Sequence, residues 1–334
     1  MTARSGLRVA VTGPTGTFGF GLLPLLEADT RIASVVGVAR RPFDPAAHGW
    51  SKMTYRQGDV REPATLEAAF EGADVVVHLA FLVTGGKASP EEIRAINVDG
   101  TVNAVRAAAA VGAQRFVYAS SVAAYGFHAD NPTGMTEDWP TRPAAHLLYA
   151  QEKAELEELL AREAVAHPGL DVFVLRPPVV LGPHAVGGKS ALLARLLPMG
   201  RRAAAVARRL PVHLPVVVPD LTIQLIHEDD VGSAFVQCIM GAGPPGAYNI
   251  AADDVLSAVD VARELGMLPL PISPKPFQHL TRLAAAVPLP DGAPPITSWV
   301  ESVSNPPIVD TAKAKRELGW TPRYSALEAL RATI

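Results

Sequence analysis

A glycine-rich turn near the N-terminus constrains the fold of this chain more than any other feature. A short apolar run, Leu7 to Thr12, leads directly into glycines at positions 13, 16 and 19. Glycines placed in this way allow a tight turn, a close approach of the backbone to a pyrophosphate, and packing of a helix against a strand. A helix that begins there directs its free N–H groups and a partial positive charge at the phosphates.

The spacing of these glycines is T-G-x-x-G-x-x-G, which differs from the commonest dinucleotide-binding pattern, G-x-G-x-x-G. The alternative is a glycine turn that binds no ligand. We favour phosphate binding because the turn follows the first strand of a repeating strand–helix pattern. The residues of the turn that we predict to bind a dinucleotide are Gly13, Thr15, Gly16, Thr17, Phe18 and Gly19.

Short apolar segments alternate with longer helical segments through the first half of the chain. Continuous apolar runs are typical of strands that are buried on both faces of a parallel sheet. The predicted strands are Arg8–Thr12, Ser34–Ala39, Met53–Gln57, Asp74–Leu79, Phe116–Ser120 and Val172–Arg176. The predicted helices are Gly19–Ala28, Ala64–Phe70, Pro90–Val111 and Ala145–Ala166. This alternation predicts βαβ units and a doubly wound α/β fold of the Rossmann type, with a parallel sheet.

The pattern changes after Arg176, where proline becomes frequent and the alternation stops. It resumes from Leu221 to Met240, with Asp230 as the predicted N-cap of a helix, and again in a short strand at 247–251. We therefore predict a dinucleotide-binding domain of residues 1–178 and 221–251. The smaller C-terminal substrate-binding cap would consist of residues 179–220 and 252–334. A length of 334 residues accommodates two domains of about 150 residues each, or one large domain.

Charge and composition exclude several classes of protein. The net charge of −3 indicates neither nucleic acid nor an anionic membrane surface as a partner. The single cysteine, Cys238, fits a reducing compartment. No apolar stretch reaches the roughly 18 residues of a membrane span, and the apolar run at 7–12 is too short for a signal peptide. We expect a cytoplasmic protein that acts on a small molecule.

A tyrosine and a lysine stand four residues apart in a strongly helical segment. Tyr149 and Lys153 would lie on one face of the helix. A nearby ammonium favours the phenolate, so we expect Lys153 to lower the pKa of Tyr149 from about 10 towards neutrality. Such a phenol can donate or accept a proton at a carbonyl or carbinol oxygen. The alternative is an ordinary pair on a surface helix.

Six further segments, in order along the chain, resemble motifs of the extended short-chain dehydrogenase/reductase family, which includes the NAD-dependent epimerase/dehydratase group. They are Gly58–Val60, His78–Ala80, Asn97–Thr101, Ala119–Gly126, Leu175–Pro177 and Leu318–Pro322. Each segment alone is common, but six in the expected order, together with the glycine turn and the Tyr149–Lys153 pair, are specific.

The resemblance implies contacts to a nicotinamide dinucleotide. Asp59 and Val60 would contact the adenine, Leu79 and Ala80 would pass beneath the cofactor, and Pro177 would touch the nicotinamide. The segment that contains Leu318 would close the cap.

The resemblance also implies the catalytic set. Ser121 would hydrogen-bond the substrate oxygen, Tyr149 would transfer the proton, and Lys153 would tune Tyr149 and hold the nicotinamide ribose. Ser120 and Ser121 could instead only cap the end of a strand. Asn97 would either hold a proton-relay water or satisfy a helix carbonyl.

These residues predict reversible hydride transfer between nicotinamide and a ketone or secondary alcohol. Val122, Ala123 and Ala124 follow Ser121 where similar sugar-nucleotide 4,6-dehydratases carry an Asp-Glu pair, so elimination is not expected.

The apolar segment at 210–219 favours a partly apolar substrate, unless it forms only the core of the cap. A solvated face or an anionic substrate group would explain the arginines at 195, 201, 202, 208 and 209. Two alternatives remain: a nucleotide-sugar epimerase that uses the same site, and a non-catalytic NAD(P)-binding regulatory protein.

Three further predictions concern cofactor, assembly and metal. The second predicted strand ends in Arg40 and Arg41 and offers no carboxylate to a ribose 2′-hydroxyl, so we predict that NADP is preferred and NAD is possible. Alanines and leucines on more than one face of the helices at 90–111 and 145–166, together with the resemblance, predict a homodimer. The acidic segment that starts at His227 lacks a second histidine, so we predict a helix cap there and no metal.

Overall fold

The computed structural model of the chain describes residues 6–83, 88–145, 147–185, 215–273 and 305–333. The strands in chain order are β1 Leu7–Thr12, β2 Ile32–Ala39, β3 Met53–Gln57, β4 Val75–His78, β5 Arg115–Ala119, β6 Asp171–Arg176, β7 Val179–Leu181, β8 Pro215–Pro219, β9 Thr222–His227, β10 Gly246–Asn249, β11 Val255–Ser257 and β12 Leu268–Ile272. Seven of them form one parallel sheet in the order β3-β2-β1-β4-β5-β6-β10. The predicted doubly wound α/β fold is confirmed, and each of the six predicted strands lies within two residues of its observed position.

Helices cover both faces of this sheet. In chain order, the helices of the described residues are α1 Thr17–Ala28, α2 Pro63–Phe70, α3 Pro90–Arg94, α4 Gly100–Ala110, α5 Leu148–Ala166, α6 Glu228–Met240, α7 Ala258–Glu264, α8 Ala312–Leu318 and α9 Ala326–Thr333. Val9 and Val11 of β1 pack in one apolar cluster with residues of α1 and α6, while Ala10 packs in a second cluster with α2 and α4. Successive residues of a strand point to opposite faces, so β1 is apolar throughout because both faces are covered.

The order of the strands places two loops on opposite sides of a gap at the carboxyl edge of the sheet. The chain leaves β1 towards β2 and leaves β4 towards β5, and β1 and β4 are neighbours. Open α/β sheets bind ligands where the strand order reverses in this way. The glycine turn follows β1, and Leu79 and Ala80 follow β4, so both predicted cofactor-binding segments lie at this switch point.

Two helical predictions need correction. The helix predicted at 90–111 is interrupted by a π-helical turn at Ala95–Asp99, and the helix predicted from Ala145 begins at Leu148. The prediction of Asp230 as an N-cap is wrong. The N-cap of α6 is His227, whose Nδ1 accepts a 3.1 Å hydrogen bond from the N–H of Asp229.

Asp230 instead binds the C-terminal segment through hydrogen bonds. Its carboxylate accepts hydrogen bonds of 2.9 and 3.0 Å from the backbone N–H groups of Arg323 and Tyr324. The indole N–H of Trp320 donates to the carbonyl of Asp230 and to the hydroxyl of Ser233, at 3.1 and 2.9 Å. The segment that resembles a family signature, Leu318 to Pro322, therefore packs on α6.

C-terminal strands form two smaller sheets, β11-β9-β7 and β12-β8. The proposed boundary between a dinucleotide-binding domain and a cap stays a prediction. Residues 210–214 and the five arginines at 195–209 lie outside the described residues. Within the described residues, no helix is long and apolar enough to cross a membrane.

The homodimer also stays a prediction, but the structure changes the argument for it. Half of the alanines and leucines of α4 and α5, among them Ala104, Ala108, Leu156 and Leu160, are buried within the chain. Ion pairs also lie on the outer surface of this region, at 2.6 Å between Arg94 of α3 and Glu155 of α5 and at 2.7 Å between Arg106 of α4 and Glu163 of α5.

Candidate active site

The glycine turn is built by close contacts between backbones. Gly13 has a φ of +67°, and a Cβ there would lie 2.7 Å from the nitrogen of Ala80. A Cβ on Gly19 would lie 2.0 Å from the carbonyl oxygen of Pro14. Gly16 is exposed, and a Cβ there would meet only the carbonyl oxygen of Gly13, at 3.6 Å. Two glycines are therefore required by the fold, whereas Gly16 leaves room for a ligand at the start of α1.

The other predicted residues of this turn lie around the start of α1. Thr15 is exposed, and Thr17 and Phe18 are half-buried. The Thr17 hydroxyl donates to the carbonyl of His184 at 3.1 Å, and Phe18 packs on Phe235 with 6.3 Å between ring centroids. Thr15 is thus open to solvent beside Gly16, while Thr17 and Phe18 also hold α1 against its neighbours.

A buried histidine fixes the loop after β4. His78 Nδ1 lies 2.8 Å from the hydroxyl of Thr12, and His78 Nε2 lies 3.0 Å from the hydroxyl of Thr101. The Thr101 hydroxyl donates to the carbonyl of Asn97 at 2.5 Å, so it accepts from Nε2–H, and Thr12 donates to Nδ1. Burial, helped by Lys153, lowers the pKa of His78 to about 3. The ring is therefore neutral, and it joins β1, β4 and α4 beneath Leu79 and Ala80.

Ser121 and Tyr149 are brought together by the structure. A side-chain hydrogen bond joins the two residues, and the Ser121 hydroxyl also accepts from the N–H of Ala123 at 3.1 Å. Ser121 ends the loop after β5 as the N-cap of a short 3₁₀ turn, and Tyr149 lies in the first turn of α5. The alternative that Ser121 only caps the strand end is incomplete, because its hydroxyl reaches Tyr149 as well.

Lys153 lies one turn further along α5 and is fully enclosed. Its ammonium donates to the carbonyl of Ala119 at 2.6 Å and to the hydroxyl of Tyr118 at 3.1 Å. Its Nζ lies 3.6 Å from the ring centroid of Phe81 and 5.9 Å from that of Tyr149. Burial lowers the pKa of Lys153 to about 7, against the opposing effect of the carboxylates of Glu157 and Glu152.

The prediction that Lys153 lowers the pKa of Tyr149 is wrong. Burial raises the pKa of this phenol, and the hydrogen bond with Ser121 lowers it only in part. Lys153 does not offset the loss of hydration of Tyr149, because its N–H groups are directed at the Tyr118 hydroxyl and the Ala119 carbonyl rather than at the Tyr149 hydroxyl. The sequence spacing placed the two groups on one helix face correctly but could not reveal how deeply both are buried.

Asn97 is a buried clamp on the loop after β4. Its side-chain oxygen accepts from the N–H of Leu82 at 2.7 Å, and its amide group donates to the carbonyl of Leu82 and to Glu152 Oε2, at 3.1 and 2.7 Å. Both amide hydrogens are therefore used within the protein. This arrangement supports a positioning role, and the proton-relay role stays a prediction.

Glu157 and Arg176 form a buried ion pair that sequence reasoning missed. Arg176 Nη2 lies 2.5 Å from Glu157 Oε2, and the same carboxylate accepts from the Ser120 hydroxyl at 2.5 Å. Arg176 also donates to the hydroxyl of Tyr125 at 2.6 Å. The pair anchors α5 to the ends of β5 and β6, next to Ser121. A Glu four residues after Lys153 was the available signal.

The residues predicted to meet adenine and its ribose lie at the ends of β2 and β3. Asp59 is held by Arg61 in an ion pair of 2.6 Å, which together with backbone hydrogen bonds keeps the pKa of this carboxyl below its usual range. Val60 is buried beneath α4, with its carbonyl accepting from Asn103 at 3.2 Å. Arg40 and Arg41 are exposed, and within the described residues neither guanidinium has a hydrogen bond or ion pair.

The remaining predicted positions are also placed. The carbonyl of Pro177 accepts from the N–H of Val122 at 3.0 Å, so the end of β6 lies against the segment that carries Ser121. Among the described residues, no group of three or more potential ligands could hold a metal ion. The acidic residues after His227 form the first turn of α6, whose N-cap is His227 rather than the predicted Asp230.

Known proteins similar to this chain support one family. The model of the NAD-dependent epimerase/dehydratase family matches residues 9–251. The uncharacterized protein y4nG of Sinorhizobium fredii is 29% identical over 328 residues, which is 94% of this chain and 74% of that protein. The uncharacterized protein Rv2047c of Mycobacterium tuberculosis is 26% identical over 97% of this chain, but the match covers only 29% of that protein. Sterol demethylase protein B of Methylococcus capsulatus is 33% identical over 177 residues, 52% of this chain and 51% of that protein.

Solved structures share the fold over nearly the whole chain. UDP-glucose 4-epimerase from Thermotoga maritima, solved with UDP-glucose, has a TM-score of 0.72 and 20% identity and covers 98% of this chain and 97% of its own. The Bordetella bronchiseptica enzyme WbmG in complex with NAD has a TM-score of 0.71 and 19% identity, covering 100% and 94%. The family match runs from β1 to the residues just after β10, the whole of the parallel sheet. This chain therefore belongs to the NAD-dependent epimerase/dehydratase family.

Proposed function

We propose that this chain is an NAD(P)-dependent oxidoreductase that transfers a hydride between nicotinamide and a ketone or secondary alcohol of a partly apolar substrate. The observation that carries the proposal is the catalytic arrangement on α5 and after β5. Tyr149 hydrogen-bonds Ser121, and Lys153 is buried one helical turn away. A protein that only binds a dinucleotide has no physical need for an acid–base pair enclosed in this way.

The residues at the switch point fit a dinucleotide. The space at Gly16, which a Cβ would partly fill, lies at the N-terminal end of α1, where free N–H groups attract phosphate. Gly13 lets the turn lie against Ala80, so the loop after β4 borders the same space. In this proposal Gly13, Gly16 and Thr15 meet the pyrophosphate, and Leu79 and Ala80 lie beneath the cofactor.

The bound nicotinamide would supply or accept the hydride. Ser121 would hydrogen-bond the substrate oxygen and hold it beside the Tyr149 hydroxyl. During reduction Tyr149 would donate its proton to this oxygen, and during oxidation it would accept the proton back. Because burial raises the pKa of Tyr149, the phenol enters the reduction protonated. The ammonium of Lys153 would stabilise the phenolate that forms.

Two observations favour net redox on an apolar substrate. No carboxylate follows Ser121 at positions 122–124, so the site offers no second acid or base for elimination at that place. One relative is a sterol demethylase protein, and its name indicates a substrate with a large apolar body. Burying an apolar body needs few polar partners, whereas the hydroxyls of a sugar need many.

A nucleotide-sugar epimerase is the second candidate, because the structure of an epimerase with UDP-glucose shares this fold over 98% of the chain. Cofactor stoichiometry separates the two functions. We expect the purified protein to bind added NAD(P)H reversibly and to change absorbance at 340 nm with apolar ketones or alcohols. Tightly retained NAD, together with conversion of a UDP-sugar at constant absorbance, would instead establish the epimerase.

Arg40 and Arg41 support a preference for NADP. Their guanidinium groups are exposed at the end of β2, and their backbone carbonyls accept from Gln57 and Tyr55. This arrangement holds the backbone while leaving both side chains available for a 2′-phosphate. We expect NADPH to bind more tightly than NADH, and Arg40→Ala to weaken NADPH by roughly tenfold while NADH changes little. Fluorescence titration of both cofactors measures this, and tighter NADH binding in the unaltered protein would refute the preference.

A further inference from the structure

Phe81 lies beside Lys153 and directly follows the segment His78–Ala80, which resembles a family motif but does not include it. It lies three residues after the end of β4, in the loop held by His78 and Asn97. Its ring centroid is 3.6 Å from Lys153 Nζ, so the ammonium sits on the ring face. Its ring also meets that of Tyr149 edge-on, with 5.7 Å between centroids and 89° between planes.

The hydrogen bonds of Lys153 explain why this contact matters. An ammonium has three N–H groups. Two of them are used by the carbonyl of Ala119 and the hydroxyl of Tyr118, at 2.6 and 3.1 Å. The ring face of Phe81 covers the Nζ atom and is the nearest aromatic surface to it, since the Tyr118 centroid is 4.7 Å away. Aromatic ring faces are electron-rich, so they attract an ammonium and repel the lone pair of a neutral amine.

We propose that Phe81 is a positioning residue that keeps Lys153 charged and directed along α5 by presenting its ring face to the ammonium. The proposal deepens the proposed function and rests on it, because only there does the charge of Lys153 serve catalysis. Phe81 would also align Tyr149 through the edge-on contact. One aromatic side chain from the loop after β4 would then arrange both members of the acid–base pair.

The charged groups around Lys153 do not fully offset the effect of its burial. Glu152 and Glu157 of α5 favour the ammonium, but burial has the larger effect and lowers the pKa of Lys153 to about 7. His78 of β4 is neutral, and Tyr118 of β5 stays protonated because burial raises its pKa well above the usual value. Burial also raises the pKa of Tyr149. None of these three groups carries a charge near neutral pH. The ring face of Phe81 therefore adds to the carboxylates of Glu152 and Glu157, and to the hydrogen bonds to Ala119 and Tyr118, in favouring the ammonium.

The test is a direct titration of Lys153 in the complete protein without cofactor. Lysines labelled with ¹³C at Cε give seven signals, because the chain has seven lysines, and Lys153→Met identifies the signal of interest. We expect Phe81→Leu, which keeps an apolar side chain but removes the ring, to lower the titration midpoint of Lys153 by about 0.5–1.5 pH units. Phe81→Tyr keeps the ring face and should titrate like the unaltered protein.

Phe127→Leu is the matched control, because Phe127 is also half-buried and packs in the apolar cluster that includes Tyr149. It makes the same chemical change with no contact between its ring and Lys153 among the described residues. We expect its Lys153 midpoint to stay unchanged. An unchanged midpoint in Phe81→Leu, or an equal shift in Phe127→Leu or Phe81→Tyr, would overturn the proposal.

If Phe81→Leu fails to fold, site-specific 3,4,5-trifluorophenylalanine at position 81 replaces it, since this residue keeps the shape and weakens the ring-face charge. A lowered midpoint supports the proposal and an unchanged midpoint overturns it. The pH dependence of NADPH affinity is measured in parallel. Absence of any cofactor binding would contradict the proposed function, whereas the titration of Lys153 would still test the contact with Phe81.

Discussion

The glycine turn and the Tyr149–Lys153 helix lie at the same edge of the sheet but are built in opposite ways. The turn depends on missing side chains, because Gly13 and Gly19 let backbone atoms of neighbouring segments approach. The helix depends on enclosed side chains, because Lys153 touches Phe81 from one loop and Tyr118 from β5. In the first region the binding groups are fixed locally by the chain. In the second region their chemistry depends on which distant residues exclude water.

His78 joins the two regions. One ring nitrogen is bonded to Thr12, directly before the glycine turn, and the other to Thr101. Lys153 is close enough to contribute to the lowered pKa of His78. The two regions therefore share one buried neighbour.

The largest effect should come from the helix region. Tyr149→Phe removes the hydroxyl that we propose as the proton donor, so kcat should fall by about 10²–10⁴-fold. The ring and its edge-on contact with Phe81 remain, so cofactor affinity should change less than about threefold. Steady-state kinetics and cofactor titration on the same preparation check both values. Retained turnover would show that Tyr149 does not transfer the proton.

The glycine region should show the next largest effect, on stability. In Gly19→Ala the new Cβ would meet the Pro14 carbonyl at 2.0 Å, so we expect a loss of roughly 2–3 kcal/mol in the free energy of unfolding. Gly16→Ala is the matched control, because its Cβ would meet nothing closer than 3.6 Å. It should change stability by less than about 0.5 kcal/mol but weaken cofactor binding. Denaturant unfolding and cofactor titration measure the two effects, and equal destabilisation by both variants would be inconsistent with this structure.

The same contrast explains what the sequence could predict. The strands and the glycine turn followed from local patterns, because burial on both faces and backbone geometry leave a direct record in residue type. The failures concerned contacts between distant segments. Asp230 has the residue type of an N-cap, but backbone N–H groups more than 90 residues away hold its carboxylate. The pKa of Tyr149 was predicted from one neighbour on the helix, whereas burial by other segments decides its direction.

Phe81 and Glu157 show the same limit. Neither forms a motif whose function is visible without the fold, since Phe81 of the loop after β4 meets Lys153 of α5, and Glu157 of α5 meets Arg176 of β6. The family resemblance predicts positions such as Ser121, but it does not predict which distant residues contact them. The resemblance predicts which groups react, and the structure shows what surrounds them.

The junction between the regions should be sensitive to acid. The pKa of His78 is about 3 in the folded protein and near 6.5 when unfolded, so the unfolded state binds the extra proton between these values. Stability from this group is complete above about pH 6.5 and is lost as pH falls towards 3, by up to about 1.4 kcal/mol per pH unit. His78→Gln, which cannot titrate, should lack this slope. Urea unfolding of both proteins between pH 6.5 and 4.5 measures the difference, and parallel curves would show that His78 does not carry it.

The smallest predicted effect concerns Glu152, which borders both the loop after β4 and Lys153. Its Oε2 accepts from Asn97 at 2.7 Å, while its buried Oε1 has no hydrogen-bond partner among the described residues. Burial raises the pKa of this carboxyl, so the folded state holds the proton more tightly than the unfolded state. Its contribution to stability is therefore present at low pH and is lost as pH rises through the raised pKa.

Glu152→Gln keeps the bond from Asn97 and removes this titration. The stability of the variant relative to the unaltered protein should rise between pH 5 and 8, by at most on the order of 1 kcal/mol. Thermal unfolding of the pair across this range tests the sign, and a relative stability that falls with pH would mean that the carboxylate is stabilised by its neighbours, as Lys153 is by Phe81.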